Sequence, residues 1–399
     1  MRLGWLTLLI PLLIACSSAT TVPRERATGA SPNGTSAPIG TTLTVESGEI
    51  DRSQLPATAR GWATDWSRRT IPLDELMSGG PPRDGIPPID APRFELVLES
   101  DWLEDGQPLL LFEHDGVARG YPLAILIWHE VVNDIVAGKA VAVTYCPLCN
   151  TALVFDRDVN GTRLDFGTSG LLRYSDLVMW DRQTETLWQQ ATGEGIVGAY
   201  AGTRLTLLPA SLISVGEFRA AFPNGELLAR PEGGLSRYGQ NPYENYDSSE
   251  RPFLFTGTTD DRLPALERVV GLVIDDEAVA YPFSTLAEAR VINDEVAGRP
   301  VVLFFSSEAR SALDQSRIAE SRMVGSAIPY DPIVAGRRLT FRADAAGFVD
   351  EATGSRWDIT GRARSGPLKG HGLTPLPHAN HFWFAFQAFY DEIRLWSAK

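Results

Sequence analysis

The chain has 399 residues, a length that suits two or three domain-sized units. Its 36 basic and 50 acidic side chains leave a net charge of −14, which argues against nucleic acid, whose binding rests on cationic contacts to phosphate. Three cysteines are too few for a disulfide scaffold, and 44% apolar residues suffice for an ordinary core.

Residues 1–16, MRLGWLTLLIPLLIAC, place Arg2 before an apolar run from Leu3 to Ile14 and end in Ala15-Cys16. The run has the length of a secretory h-region and is too short to cross a bilayer core of about 30 Å. Its ending resembles the lipobox of bacterial lipoproteins. The expectation is a signal peptide over 1–15, lipidation at Cys16, and a chain held to a membrane of the cell envelope, outside the cytoplasm. Residues 16–50, rich in Ser, Thr, Ala, Gly and Pro, read as a flexible tether, and 51–108 as an N-terminal extension.

Two segments 160 residues apart then match without a gap. ARGYPLAILIWHEVVNDIVAGKAVAVTY starts at Ala118 and AVAYPFSTLAEARVINDEVAGRPVVLFF at Ala278. DRQTETLW (181–188) and DEATGSRW (350–357) follow in the same order, which predicts two copies of one unit, over 109–225 and 266–392, joined by a connector at 226–265. In the first copy, strands are expected at 109–113 and 117–121 around the turn His114-Asp115-Gly116. A helix follows from Pro122 to about Val132, ended by Asn133-Asp134. Further strands are expected at 140–145, 152–156, 163–166 and 176–180, with a closing helix near 215–222. The predicted class is α+β, mainly antiparallel β with short helices, internally duplicated into two similar lobes.

Chemistry is sought where the copies differ. Tyr145-Cys146-Pro147-Leu148-Cys149-Asn150 becomes Phe305-Ser306-Ser307-Glu308-Ala309-Arg310, and His129 becomes Ala289. Cys146 and Cys149 admit three readings. One is a structural bridge, worth little because the loop is so short. A second is a redox pair at an accessible strand end, with Cys146 attacking, Cys149 resolving and His129 tuning the thiolate. The third is half of a soft-metal site for Zn or Cu, with His129 and Met179 as the nearby candidates to complete it. His378 and His381 have a spacing that suits one helix face, a weak metal signal, and His371 lies nearby. No Gly-rich phosphate loop, G-x-S-x-G or H-E-x-x-H is present, so no enzyme class, cofactor, ligand or redox partner is named.

The runs YCPLCNTALVFDR, SDLVMWDR with LWQQ, and HANHFWFAF resemble the bacterial and archaeal family called domain of unknown function 3179, over about Leu109 to Phe389. The resemblance implies no established activity. It implies selenoproteins among the relatives, and selenium suits exchange chemistry better than a static bridge. It carries over Cys146 and Cys149, with Ser175, Asp176, Met179 and Trp188 as motif neighbours. Asn150 stands where many relatives are expected to have Gly.

Overall fold

The structure, a computed structural model, describes residues 44–232 and 237–397. Cys16 and most of the tether lie outside the described residues. Strands hold 41% of the described residues and helices 11%, so the antiparallel β-rich class holds.

The first hairpin pairs Pro108–His114 with Val117–Pro122 in a register running from Leu109↔Pro122 to His114↔Val117. Asp115 (φ 44) and Gly116 (φ 81) both take positive φ, as a two-residue turn matched to the strand twist requires. Pro122 then leads into the helix Leu123–His129. This helix is shorter than the sequence suggests. It stops at Glu130 (φ 58), and Asn133-Asp134 lie in the strand Val131–Val136 rather than at a helix end. Their side chains are used across the fold instead of locally. Asn133 donates to the Phe166 carbonyl and accepts from its N–H, at 2.8 and 2.9 Å. Asp134 accepts from the Tyr121 hydroxyl at 2.6 Å and, through both carboxylate oxygens, from Arg119 Nη1, whose guanidinium also covers the Phe94 ring. Asp134→Asn keeps the shape but removes a buried charge-assisted set, and is expected to cost about 2 kcal/mol in urea melts. Its counterpart Asp294 is more exposed, so Asp294→Asn is expected to cost less.

The same run of elements recurs 160 residues later: strands Arg268–Ile274 and Glu277–Pro282, helix Phe283–Ala289, strands Val291–Val296 and Arg299–Ser306. Tyr281 donates to Asp294, Arg394 pairs with Asp294, and Asn293 brackets Phe341 as Asn133 brackets Phe166. The two halves diverge after this run. Four residues join Cys146 to the next strand at Thr151, whereas 307–325 intervene before Ser326–Asp331.

Other sequence expectations are corrected. Thr162–Arg163 forms a small hairpin with Asp158–Val159, and Phe166 opens a separate strand, so 163–166 is not one strand. Glu226–Leu228 pairs in parallel with Val117–Pro122, which places it in the first sheet rather than in a connector. Glu46–Ser47 pairs with Arg68–Arg69, so the tether ends before it. The N-terminal extension also belongs to the body of the fold. Met77–Ser78 edges the sheet that contains Phe166–Arg173 and Asp176–Asp181, and Arg68–Arg69 joins it near the other side, next to the edge strand Glu46–Ser47. Trp62, Trp66, Ile71 and Leu76 bury one face of that sheet with Val178 and Trp180. The halves do not form separate lobes, because the largest apolar cluster runs from Leu109 and Tyr145 through Phe304 and Tyr330 to Phe382.

Candidate thiol–carboxylate site

Two hairpin tips from two sheets meet at the cysteines. In the first, Lys139–Cys146 and Thr151–Asp156 are joined by the turn 147–150, with Cys146 registered against Thr151. Asn150 closes this turn at φ 53, in the left-handed region that Asn and Gly tolerate. A β-branched residue would be strained, and Asn150→Val is expected to lose about 1–2 kcal/mol by thermal melting. In the second, Phe166–Arg173 turns directly into Asp176–Asp181, with Arg173 opposite Asp176. The two turn residues, Tyr174 (φ 52) and Ser175 (φ 66), both lie in the left-handed region without being Gly or Asn. A turn built against local preference at this spot is backbone strain held by its surroundings. It aims the Ser175 carbonyl at both sulfurs, 3.8 Å from Cys146 and 3.7 Å from Cys149. The Ser175 hydroxyl itself faces away and donates to the Phe253 carbonyl at 2.5 Å.

Both cysteines are free thiols, with sulfurs 2.6 Å apart. Cys149 Sγ donates to Asp176 Oδ1 at 2.8 Å, and Asp176 Oδ2 accepts from Gln189 Nε2 (2.5 Å) and the Ala191 N–H (2.9 Å). The two sulfurs and an Asp176 oxygen lie within 4.8 Å of one another. Glu130 lies one strand over: its carbonyl accepts from the Tyr145 N–H at 2.8 Å.

The thiols are not at an accessible edge. Cys146 is 2% exposed and Cys149 0%. Their cover comes from distant sequence. Tyr246 donates its hydroxyl to the Leu148 carbonyl, the Phe382 N–H donates to the Cys149 carbonyl, and Thr151 bonds His381. The segment carrying Tyr246 is pinned by buried Asp247, which pairs with Arg268 and Arg322 and accepts from Ser311. Burial opposes Asp247's charge, but these partners outweigh it and lower its pKa.

The electrostatics disfavour thiolates. Burial pushes both thiols up, Cys149 furthest, and the Asp176 charge adds to it. Burial also raises Asp176 to about 6, held back by bonds from Cys149, Ala191, Gln189 and Cys146. Glu130 is raised to about 8 by burial and then by Asp176. The site therefore favours neutral sulfurs beside the Asp176 carboxyl.

The other expected neighbours are not brought to the sulfurs. His129 uses both ring nitrogens elsewhere, on the Pro87 carbonyl (2.7 Å) and the Tyr238 hydroxyl (2.9 Å). Met179 is an odd number of residues from Asp176 and so falls on the opposite face of its strand, in the apolar core. Trp188 donates to Asp181, as Trp357 does to Asp350 in the other half, and is a scaffold residue. His381 lies in the strand Ala379–Phe382, not on a helix, and burial holds it and His378 neutral, near 3 and 4. Glu130 is the residue that sequence reasoning missed. Its signal was present, because Glu130 is matched by Arg290 just as Cys146 is matched by Ser306.

Fold and site together define a mostly antiparallel β protein with a buried pair of thiols beside the Asp176 carboxyl. Residues 83–393 match the family model described as "Protein of unknown function (DUF3179)", and the chain belongs to that family. No curated protein and no solved structure matches it.

Proposed function

We propose that this chain is an exported, lipid-anchored protein whose Cys146 and Cys149 cycle between dithiol and disulfide, with Asp176 as the proton acceptor of Cys149. The observation that carries the reading is the Cys149 Sγ–Asp176 Oδ1 contact of 2.8 Å beside a second sulfur at 2.6 Å. A general base must lie within hydrogen-bond reach of the proton it takes. In the oxidising direction, Cys146 attacks a partner disulfide, whose S–S bond breaks; one partner sulfur leaves and takes up the Cys146 proton as a thiol, and the other stays in a mixed disulfide with Cys146. Cys149 then attacks the Cys146 sulfur, its proton passes to Asp176, and the partner leaves as a thiolate. Two electrons move to the partner in all. A buried pair exchanges only after local opening, so native alkylation should be slow and should accelerate in urea.

The test is thiol titration of the full chain after equilibration with dithiothreitol and then with glutathione disulfide. The expected result is a reversible change of two thiols per chain. A reduction potential well below about −300 mV would mark an inert bridge instead. The lipid anchor is tested separately: Cys16→Ala should release the chain from the membrane fraction. We also propose that the two halves descend from one duplicated unit, supported by the recurring elements and the paired Asn133 and Asn293 contacts.

A second reading is favoured by one observation. Cys146, Cys149 and Asp176 form a three-ligand group suited to a soft divalent ion, which would reverse the penalty against thiolates. Stoichiometric zinc or copper in the reduced protein, lost in Cys146→Ser, would favour it.

A further inference from the structure

We propose that a cavity between the two halves, at the back of the turn that carries the cysteines, binds one small monovalent anion of about the size of chloride. The inference is independent of the dithiol–disulfide reading.

The cavity has a volume of about 30 Å³. One water needs about 10–15 Å³, so there is room for about two waters or one halide-sized ion, and none for an organic cofactor. It lies where matching elements of the two halves meet. Pro108 and Arg268 open the matching first strands of the two halves, and both line it. Leu212 pairs with Leu110 in the first half as Asn380 pairs with Val270 in the second, and both line it as well. Asn150, from the cysteine turn, and Arg310, its match in the sequence, make the third pair. The scaffold therefore accepts Pro and Leu at the positions where the second half has Arg and Asn. Polarity here is not a requirement of the fold.

What faces the cavity is a set of donors. Asn380 is 4% exposed, and its side chain bonds no described residue. Its Oδ1 is shut away from solvent space without a partner, so the end of the amide that meets the cavity is the NH2. Asn150 has one side-chain contact among the described residues, a long one of 3.5 Å from the Tyr145 hydroxyl to its Oδ1, and its NH2 is left over. Arg310 spends Nη1 on the Ser321 carbonyl at 2.6 Å, its Nε is buried without a partner, and no described carboxylate pairs with it. Neither Asp nor Glu lines the cavity. The charges behind its wall do not balance either. Arg268 and Arg322 are matched by Asp247 and Asp314, which leaves Arg310 as one positive charge over. A buried donor without an acceptor is costly, and so is a charge without a counter-charge. One anion answers both, accepting from Asn150, Asn380 and Arg310 together and cancelling the surplus charge.

The experiment is thermal melting of the full chain at constant pH and ionic strength, with sodium chloride replacing sodium gluconate, whose anion is too large for the cavity. A ligand that binds only the folded chain raises the melting temperature as its concentration rises. Wild type should gain roughly 2–4 °C across a chloride titration. Asn380→Leu installs the residue that the first half has at the equivalent position, so it should fold and lose the chloride response. Arg310→Met should lose it too, and decides alone should Asn380→Leu fail to fold. A wild type that melts at the same temperature in chloride and gluconate overturns the site and leaves the cavity to water. A chloride response kept in full by either folded variant overturns it as well, because the ion would then be acting elsewhere on the chain.

Discussion

Asp176→Asn is expected to slow closure of the Cys146–Cys149 disulfide by a factor of about 10² to 10⁴, the usual worth of a positioned general base. The reason lies in how the carboxylate is held. Oδ2 is fixed by Gln189 and Ala191, leaving Oδ1 free to face Cys149. Those bonds keep Asp176 near 6 despite its burial, so it is mostly ionised at pH 7. The Cys149 thiol is pushed well up, so almost no thiolate forms without a nearby acceptor. Asparagine keeps the shape and can still accept the Ala191 N–H, but it cannot take a proton. The variant should therefore fold, and its closure rate should climb with pH as hydroxide replaces the missing base. Quenched-flow thiol trapping after mixing with glutathione disulfide measures this. Wild-type closure rates in the variant would remove Asp176 from the proton path.

How much of this was legible in the sequence depends on the range of the interactions. The hairpin around Asp115-Gly116 and the strand ending at Cys146 follow from local alternation and turn chemistry, and they stand close to where they were read. Asn133-Asp134 misled because Asx residues usually bond locally. Here they reach Phe166, Arg119 and Tyr121, and no local rule signals that. The burial of the thiols was invisible for the same reason: Tyr246, His381 and Phe382 lie 98 or more positions from the residues they bond there. An accessible edge was a fair reading of a strand end, and it was wrong because other parts of the chain close over it. Asp176 entered only as a motif neighbour, since its place depends on the strained Tyr174-Ser175 turn. Glu130 was the one omission that the sequence could have prevented.

A site of this kind should be costly to the fold, and the cost should depend on pH. Glu130 has an ordinary value of 4.5 and is raised to about 8 in the folded chain. Between those values the folded protein binds a proton that the unfolded chain has released, so stability falls as pH rises. The contribution is absent below about pH 4.5, grows through neutrality and is complete above about pH 8. At 1.36 kcal/mol per unit, the loss at alkaline pH is on the order of 4 kcal/mol. Asp176 adds a smaller loss of the same sign between its ordinary 3.8 and about 6. The two are coupled, because the Asp176 charge is part of what raises Glu130. Glu130→Gln removes the larger effect while keeping the shape of the protonated acid. In urea melts it should match wild type near pH 4.5 and exceed it by a few kcal/mol at pH 8.5, and comparing the two chains cancels the pH dependence of every other group. A gap that does not widen with pH would mean that Glu130 meets a counter-charge or water in solution. A widening gap would mean that this half of the protein keeps an acid beside its thiols at the expense of stability, where the other half has Arg290 turned outward onto the Asp344 carbonyl.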